Sequence, residues 1–240
     1  KKTRVIASQQ QVVRYDRESS EDIDKDSQNS IIKIFEKVIH TYDMVLFSDY
    51  GKGVLTKTLT QKLIKLSNKY NIKVLIDPKG NDYSKYKGAF TLTPNKKEAS
   101  EATNIDIVDD SSLKNAIIKL KSICNLELSL ITLSENGIAI FDNNFRSHPT
   151  SAKEVYDVTG AGDTVLASLG YALACQLNID EAVKFSNLAS GVVVGKIGSA
   201  TVTLNEIIQY ESSLHKSSST QHIKTLIEIT DISEELKSNG

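Results

Sequence analysis

The stretch Asp157-Val-Thr-Gly-Ala-Gly-Asp163 is where this sequence can do chemistry. Gly160, Ala161 and Gly162 let backbone N–H groups approach a ligand closely, because no bulky side chain intervenes. The run from Thr164 to Leu177 reads as a helix, apolar on nearly every side and therefore expected to be buried. Its dipole and its unsatisfied first N–H groups make its N-terminus an anion site. Asp163 falls in the first turn, where a carboxylate is favoured electrostatically and can face whatever the loop holds. An anion cradle with a carboxylate at its rim suits phosphoryl transfer: the cradle takes developing phosphate charge and the carboxylate accepts a hydroxyl proton. A plain glycine turn before an acidic helix start fits the same residues, and the pattern alone leaves both open. A dinucleotide fingerprint is weakened by Val165, which stands where its third glycine should be, and no G-x-x-x-x-G-K-[ST] occurs anywhere, which excludes a P-loop.

The elements that would position this stretch read as α/β. A chain of 240 residues allows one large α/β domain or two small ones. Thr3 to Arg17 reads as two short strands of a ribbon, with no local pattern pairing Arg4 or Arg14. Ile31 to His40 has helical periodicity. Met44 to Phe47 and Lys73 to Ile76 look like strands buried on both faces of a parallel sheet, with a helix from Leu59 to Tyr70 between them. Each strand ends in a polar, glycine-punctuated turn, Ser48-Asp49-Tyr50-Gly51-Lys52-Gly53 and Asp77-Pro78-Lys79-Gly80, where open α/β sheets bind ligands. Further strands are expected at Phe90 to Thr93, Leu128 to Leu133 and Ile138 to Phe141, with edge elements at Phe145 to Pro149 and Glu154 to Tyr156. Helices are expected from Ser111 to Cys124 and from an Asp180 cap to about Val194.

Composition narrows the function. The formal charge of −1 gives no reason for a nucleic-acid surface, and no apolar run reaches the roughly 18 residues of a membrane helix. Cys124 and Cys175 match no metal spacing and read as ordinary buried thiols of a reducing compartment. His40, His148, His215 and His222 form no ligand pattern and are read as surface or structural. Asn95 and Glu98 fit a capping box at the start of a helix. Asn187, Ser190 and Gly191 fit close helix packing, and Thr132 to Gly137 fits a simple strand–turn–strand.

Asp157-x-Thr159-Gly160-Ala161-Gly162-Asp163 resembles the C-terminal signature of the ribokinase-like (PfkB) carbohydrate kinases. The resemblance implies a doubly wound, mostly parallel sheet with helices on both faces and a small β-ribbon lid at residues 1–17. It implies Asp163 as catalytic base, the Gly160-Ala161-Gly162 backbone as anion hole, and ATP and Mg2+ as cofactors. Asn95-x-x-Glu98 would support metal and phosphate, Glu98 reaching a metal-bound water. Thr132, Ser134, Glu135 and Gly137 would line the nucleotide phosphates and ribose, and Asn187, Ser190 and Gly191 the adenine side.

A narrower resemblance lies in Ser48 to Gly53, Ile76 to Gly80, Thr3 to Ala7 and Gln9 to Arg14. These are similar to the D-glycero-β-D-manno-heptose 7-phosphate kinases that form one half of a bifunctional ADP-heptose synthesis enzyme. That implies transfer of the ATP γ-phosphoryl group to the sugar 1-hydroxyl in lipopolysaccharide core synthesis, with Arg4, Arg14, Lys79 and Asp157 as candidate substrate contacts. The expected organisation is a kinase domain at 1–210, then a Ser-rich linker and short helix at 211–240 leading toward a nucleotidyltransferase domain. No H-x-G-H-type motif for that second activity occurs in the chain. The family's N-terminal third, with its glycine-rich sugar segment, is expected to be absent, and sugar binding to be weak without it. The alternatives are another ribokinase-like sugar or nucleoside kinase and a catalytically incompetent nucleotide-binding fragment. A cytoplasmic location is expected, and a homodimer through the lid ribbon is compatible with the resemblance.

Overall fold

The computed structural model describes residues 2–7, 10–150, 156–198 and 200–214. They divide into two units: residues 1–133 with 139–146, and residues 134–138 with those from 147 onward.

The first unit opens with β1 (Lys2–Ala7) and β2 (Gln10–Asp16), an antiparallel ribbon as expected, in which Arg4 lies opposite Arg14 and Val5 opposite Val13. Helix α1 (Lys25–Val38) starts a turn and a half before the periodic residues, because the Asp24 side chain accepts the Ser27 N–H and caps it there. Then follow β3 (Met44–Ser48), α2 (Lys57–Lys69), β4 (Lys73–Asp77) and β5 (Thr91–Leu92). After them come α3 (Lys96–Thr103), α4 (Asp110–Cys124), β6 (Ser129–Thr132), β7 (Ile138–Phe141) and β8 (Phe145–His148).

Strands β3, β4 and β5 are parallel neighbours in that order, and β6, β7 and β8 form a second row. The two rows meet between β5 and β6. Leu128 N–H donates to Phe90 O at 3.0 Å, Thr132 N–H donates to Pro94 O at 2.9 Å, and Asn95 and Thr132 form a parallel bridge. The expectation that β3 is buried on both faces fails. Among the described residues it is an edge strand, and Leu46 keeps 41% exposure, while Val74, Leu75 and Ile76 of central β4 are fully buried.

The core of this unit packs Leu59, Leu63 and Ile64 of α2 and Leu113, Ile117 and Leu120 of α4 against Ile76, Leu92 and Ile131 of the strands, with Tyr83 and Tyr86 between. Each fully buried Leu or Ile contributes about 1.5–3 kcal/mol of transfer free energy. Cys124 lies inside this core as expected; its thiol donates to Tyr83 O, and burial pushes its pKa up to about 12.

The second unit contains α5 (Ala161–Ala174), α6 (Ile179–Val194) and helix α7 (204–214). Helix α5 starts three residues before the expected Thr164 and is not buried all round. Asp163, Ala167, Tyr171 and Cys175 succeed one another at intervals of four and form one exposed stripe. Cys175 is therefore exposed, against expectation, because it ends that stripe. Asn178, not Asp180, caps α6: its side chain accepts the Glu181 N–H, and the Glu181 carboxylate accepts the Asn178 N–H.

Helix α7 begins with a reciprocal Thr203–Glu206 cap and continues to residue 214, so the first four residues of the expected linker are helical. Residues 215–240, with His215, His222 and the helix expected at 223–236, lie outside the described residues. So do residues 151–155, and Tyr156 forms a bend rather than an edge strand. Among the described residues no helix is long and apolar enough to cross a membrane.

Candidate active site

The signature loop is held from both sides within the second unit. The N–H groups of Tyr156 and Asp157 both donate to Val194 O at the end of α6, at 2.8 and 3.2 Å. The Asp157 carboxylate accepts the Thr159 N–H at 2.8 Å on one oxygen and the Gly198 N–H at 3.1 Å on the other. The Thr159 bonds first, then Gly198, hold its carboxyl below the ordinary carboxylate range. Asp157 thus ties the loop down with both oxygens.

Gly160 caps α5 at φ 83°, a left-handed conformation that glycine adopts without strain. A Cβ added at Gly160 or at Gly162 would meet nothing within 4 Å, so the space over both residues is open. The Ala161 N–H donates to Val158 O at 3.2 Å, and the Thr164 hydroxyl and N–H both bond Gly160 O, at 2.8 and 2.9 Å. The N–H groups of residues 162 and 163 precede the first that can find a partner four residues back within the helix. Asp163 sits in this first turn and is exposed, not sunk in apolar packing. The loop therefore leaves open space over its glycines at a helix N-terminus, with the exposed Asp163 carboxylate in the same turn.

The other second-unit candidates occupy structural contacts. Gly137, at φ 85°, is buried where a Cβ would run into the backbone of His148 and come within 2.7 Å of Thr150 N. Ser134 takes a left-handed φ of 54° and accepts the Gly137 N–H at 3.1 Å, closing a turn in which Glu135 is exposed. The Asn187 amide donates to His148 O at 2.9 Å, and His148 Nε2 lies 2.8 Å from Asp180 Oδ1. Gly191 faces the Tyr210 ring of α7, which a Cβ would meet at 2.9 Å, and Ser190 beside it is half-buried.

In the first unit the expected capping box exists. Asn95 Oδ1 accepts the Glu98 N–H at 2.9 Å and Glu98 Oε2 accepts the Asn95 N–H at 3.1 Å. Glu98 Oε1 lies 3.1 Å from Lys79 Nζ, so two candidates proposed for different tasks are ion-paired. Thr132 bonds Pro94 O through its hydroxyl at 3.4 Å. On the ribbon Arg14 donates to Asp16, at 3.1 Å from Nε and 2.5 Å from Nη2, and Arg4 stands opposite it. Like charges opposed across strands repel. Sequence reasoning missed Tyr86 and Lys85, which gather on Asp49 at the end of β3; a carboxylate directly after an apolar strand was the available signal.

A family model described as pfkB family carbohydrate kinase matches residues 1–207. The chain belongs to that family. Among PfkB relatives it is 64% identical, over all 240 residues, to the Bifunctional protein HldE of Aliarcobacter butzleri (strain RM4018), and covers 50% of it. It is 58% identical to the protein of the same name from Sulfurimonas denitrificans, again over its full length and 50% of the relative. The chain thus spans about half the length of the curated relatives it matches. The fold is ribokinase-like: phosphofructokinase-2 from Escherichia coli, solved with potassium, superposes with a TM-score of 0.72 at 17% identity over 89% of this chain and 70% of that one. Arabidopsis thaliana ribokinase, solved with ribose and ATP, gives 0.66 at 20% identity over 79% and 60%.

Proposed function

We propose that this PfkB chain transfers the γ-phosphoryl group of ATP to the 1-hydroxyl of D-glycero-β-D-manno-heptose 7-phosphate. The observation that carries the reading is the open glycine cradle at the N-terminus of α5 with exposed Asp163 in the same turn. In the step, the sugar oxygen forms a bond to the γ-phosphorus, the bond to the β-phosphate oxygen breaks, and the hydroxyl proton passes to the Asp163 carboxylate. Within the Gly160-Ala161-Gly162 loop the Ala161 N–H is taken by Val158 O, so the N–H groups of Gly162 and Asp163 at the helix start are the ones we assign to charge on the moving phosphoryl oxygens, and Asp157 keeps the loop in place for them.

The choice of a heptose phosphate is supported by the likeness to HldE-named proteins from two bacteria. Arg4 and Arg14, opposed on the ribbon, and Lys79 are the cations we assign to substrate phosphate. Thr132, Ser134, Glu135, Gly137, Asn187, Ser190 and Gly191 shape the nucleotide side, with Gly137, Asn187 and Gly191 acting through the backbone and ring contacts they make.

Among the described residues no three His, Cys, Asp or Glu side chains gather into a metal-binding group. Magnesium needs only one or two carboxylates beside phosphate oxygens and water, which the single half-buried Glu98 beside Asn95 fits. When bound it would neutralise phosphate charge. We take the chain through the end of α7 at residue 214 as the kinase domain, four residues beyond the expected boundary at 210, in a cytoplasmic enzyme. Exposed Val5, Val13 and Tyr15, which share one face of the ribbon, suit a homodimer contact.

The test is Asp163→Asn with heptose 7-phosphate and a panel of other sugars and nucleosides. Loss of a catalytic base should lower kcat by about three decades, about 4 kcal/mol of barrier, while ATP still binds. An unchanged kcat removes Asp163 from the mechanism, and preference for another acceptor replaces the heptose.

A further inference from the structure

A buried carboxylate stands at the carboxyl end of β3 that the proposed reaction does not use. Asp49 is 6% exposed. Its Oδ1 accepts the Gly51 N–H at 2.7 Å, and its Oδ2 accepts the Tyr86 hydroxyl at 2.7 Å and the Lys85 ammonium at 2.6 Å. The same ammonium lies 4.9 Å from the Tyr86 ring centroid. The charge is therefore paired and hydrogen-bonded, as burial demands.

What this cluster holds is Lys79. The fully buried Tyr86 directs its hydroxyl proton to Asp49 and accepts the Lys79 N–H at 2.9 Å. Gly51, which Asp49 fixes, stays bare where the Lys79 stem crosses it: a Cβ there would meet Lys79 Cγ at 3.3 Å. The far end of the side chain rests on Glu98, 3.1 Å away, and Glu98 is itself pinned by the Asn95 cap. Lys79 is thus fixed at its backbone, its stem and its ammonium, yet its side chain keeps 55% exposure.

Stability alone explains this poorly. An exposed ion pair contributes about 0–1 kcal/mol, and a buried one often no more than an apolar replacement would. What the arrangement supplies is direction, at the carboxyl ends of parallel strands where open α/β sheets bind ligands. We propose that Asp49 and Tyr86 are positioning residues for Lys79, whose ammonium exchanges Glu98 for a phosphate oxygen of the substrate. The inference rests on the phosphoryl-transfer reading and names the device that aims one of its cations. The ligand chemistry is a phosphate oxyanion, which both the nucleotide and the sugar phosphate carry.

The experiment is a double-mutant cycle of Tyr86→Phe and Lys79→Met, with dissociation constants for Mg-ATP and for heptose 7-phosphate measured separately by calorimetry and kcat alongside. Lys79→Met should weaken one of the two ligands by about tenfold or more, which identifies the source of the phosphate. Tyr86→Phe should weaken that same ligand by about fivefold with kcat within about twofold, and the double variant should match Lys79→Met alone, because Tyr86 acts through Lys79. Asp49→Asn carries the same cycle where Tyr86→Phe does not fold. Unchanged affinity for both ligands in Lys79→Met overturns the inference, as does a Tyr86→Phe effect that multiplies onto Lys79→Met. The binding arms need no turnover: a chain that binds but phosphorylates no acceptor sinks the kinase reading and leaves the cycle decisive.

Discussion

Replacing Gly162 by alanine separates what the signature loop does for folding from what it does for catalysis. Gly162 is the second residue of α5, outside the left-handed region, and an added Cβ would meet nothing within 4 Å. Folding should therefore gain. Alanine in place of glycine in a helix is favoured by about 1 kcal/mol in the interior, partly through the unfolded chain, and by less in a first turn. For a protein of this length that is a rise in Tm of at most about 3 °C. Catalysis should lose, because the methyl group fills the space a phosphoryl oxygen must enter to reach the N–H groups of residues 162 and 163. Removing one oxyanion donor costs about two to three decades in kcat, about 3–4 kcal/mol. Coupled ADP-release kinetics and thermal unfolding on the same preparation read both signs. Turnover within about twofold of the parent would refute the reasoning, since the open space would then hold nothing that reacts.

Two further outcomes test the supports of the site. Gly137→Ala sets a Cβ against the backbone of His148 at a left-handed φ of 85°, so overpacking and backbone strain add. Its urea midpoint should correspond to a loss of about 2–5 kcal/mol, and a change below about 0.5 would show that the turn relaxes freely. Glu206 is held down to about 2, first by the Lys196 hydrogen bond and then by Thr203, against an ordinary 4.5. A depressed carboxylate stabilises the fold above its unfolded value and loses that contribution as pH falls through the folded one. Glu206→Gln should therefore lower Tm at neutral pH, and the difference from the parent should close between pH 4.5 and about 2. A difference that persists at the acid end would show that charge at Glu206 is not what holds the start of α7.

The sequence by itself determined the local structure at the candidate site. Glycines 160 and 162 followed by Asp163 and an apolar run are legible because helix starts, anion sites and their carboxylates follow from neighbours in the chain. The Asn95–Glu98 box and the alternation of strand and helix are local for the same reason.

Tertiary structure decided the rest. Leu46 is exposed because β3 is the edge of its sheet among the described residues, which no apolar run can reveal. Cys175 is exposed because one stripe of α5 lies uncovered, although composition alone reads that helix as apolar all round. Gly137 and Gly191 are set by the backbone of His148 and the ring of Tyr210, contacts made across 11 and 19 residues of chain. Asp49, Lys85 and Tyr86 meet only because parallel pairing of β3 with β4 brings residues 36 and 37 positions apart to one strand end. Periodicity records which face of an element is apolar; what covers that face, and which distant polar group meets it, is fixed only when the elements pack.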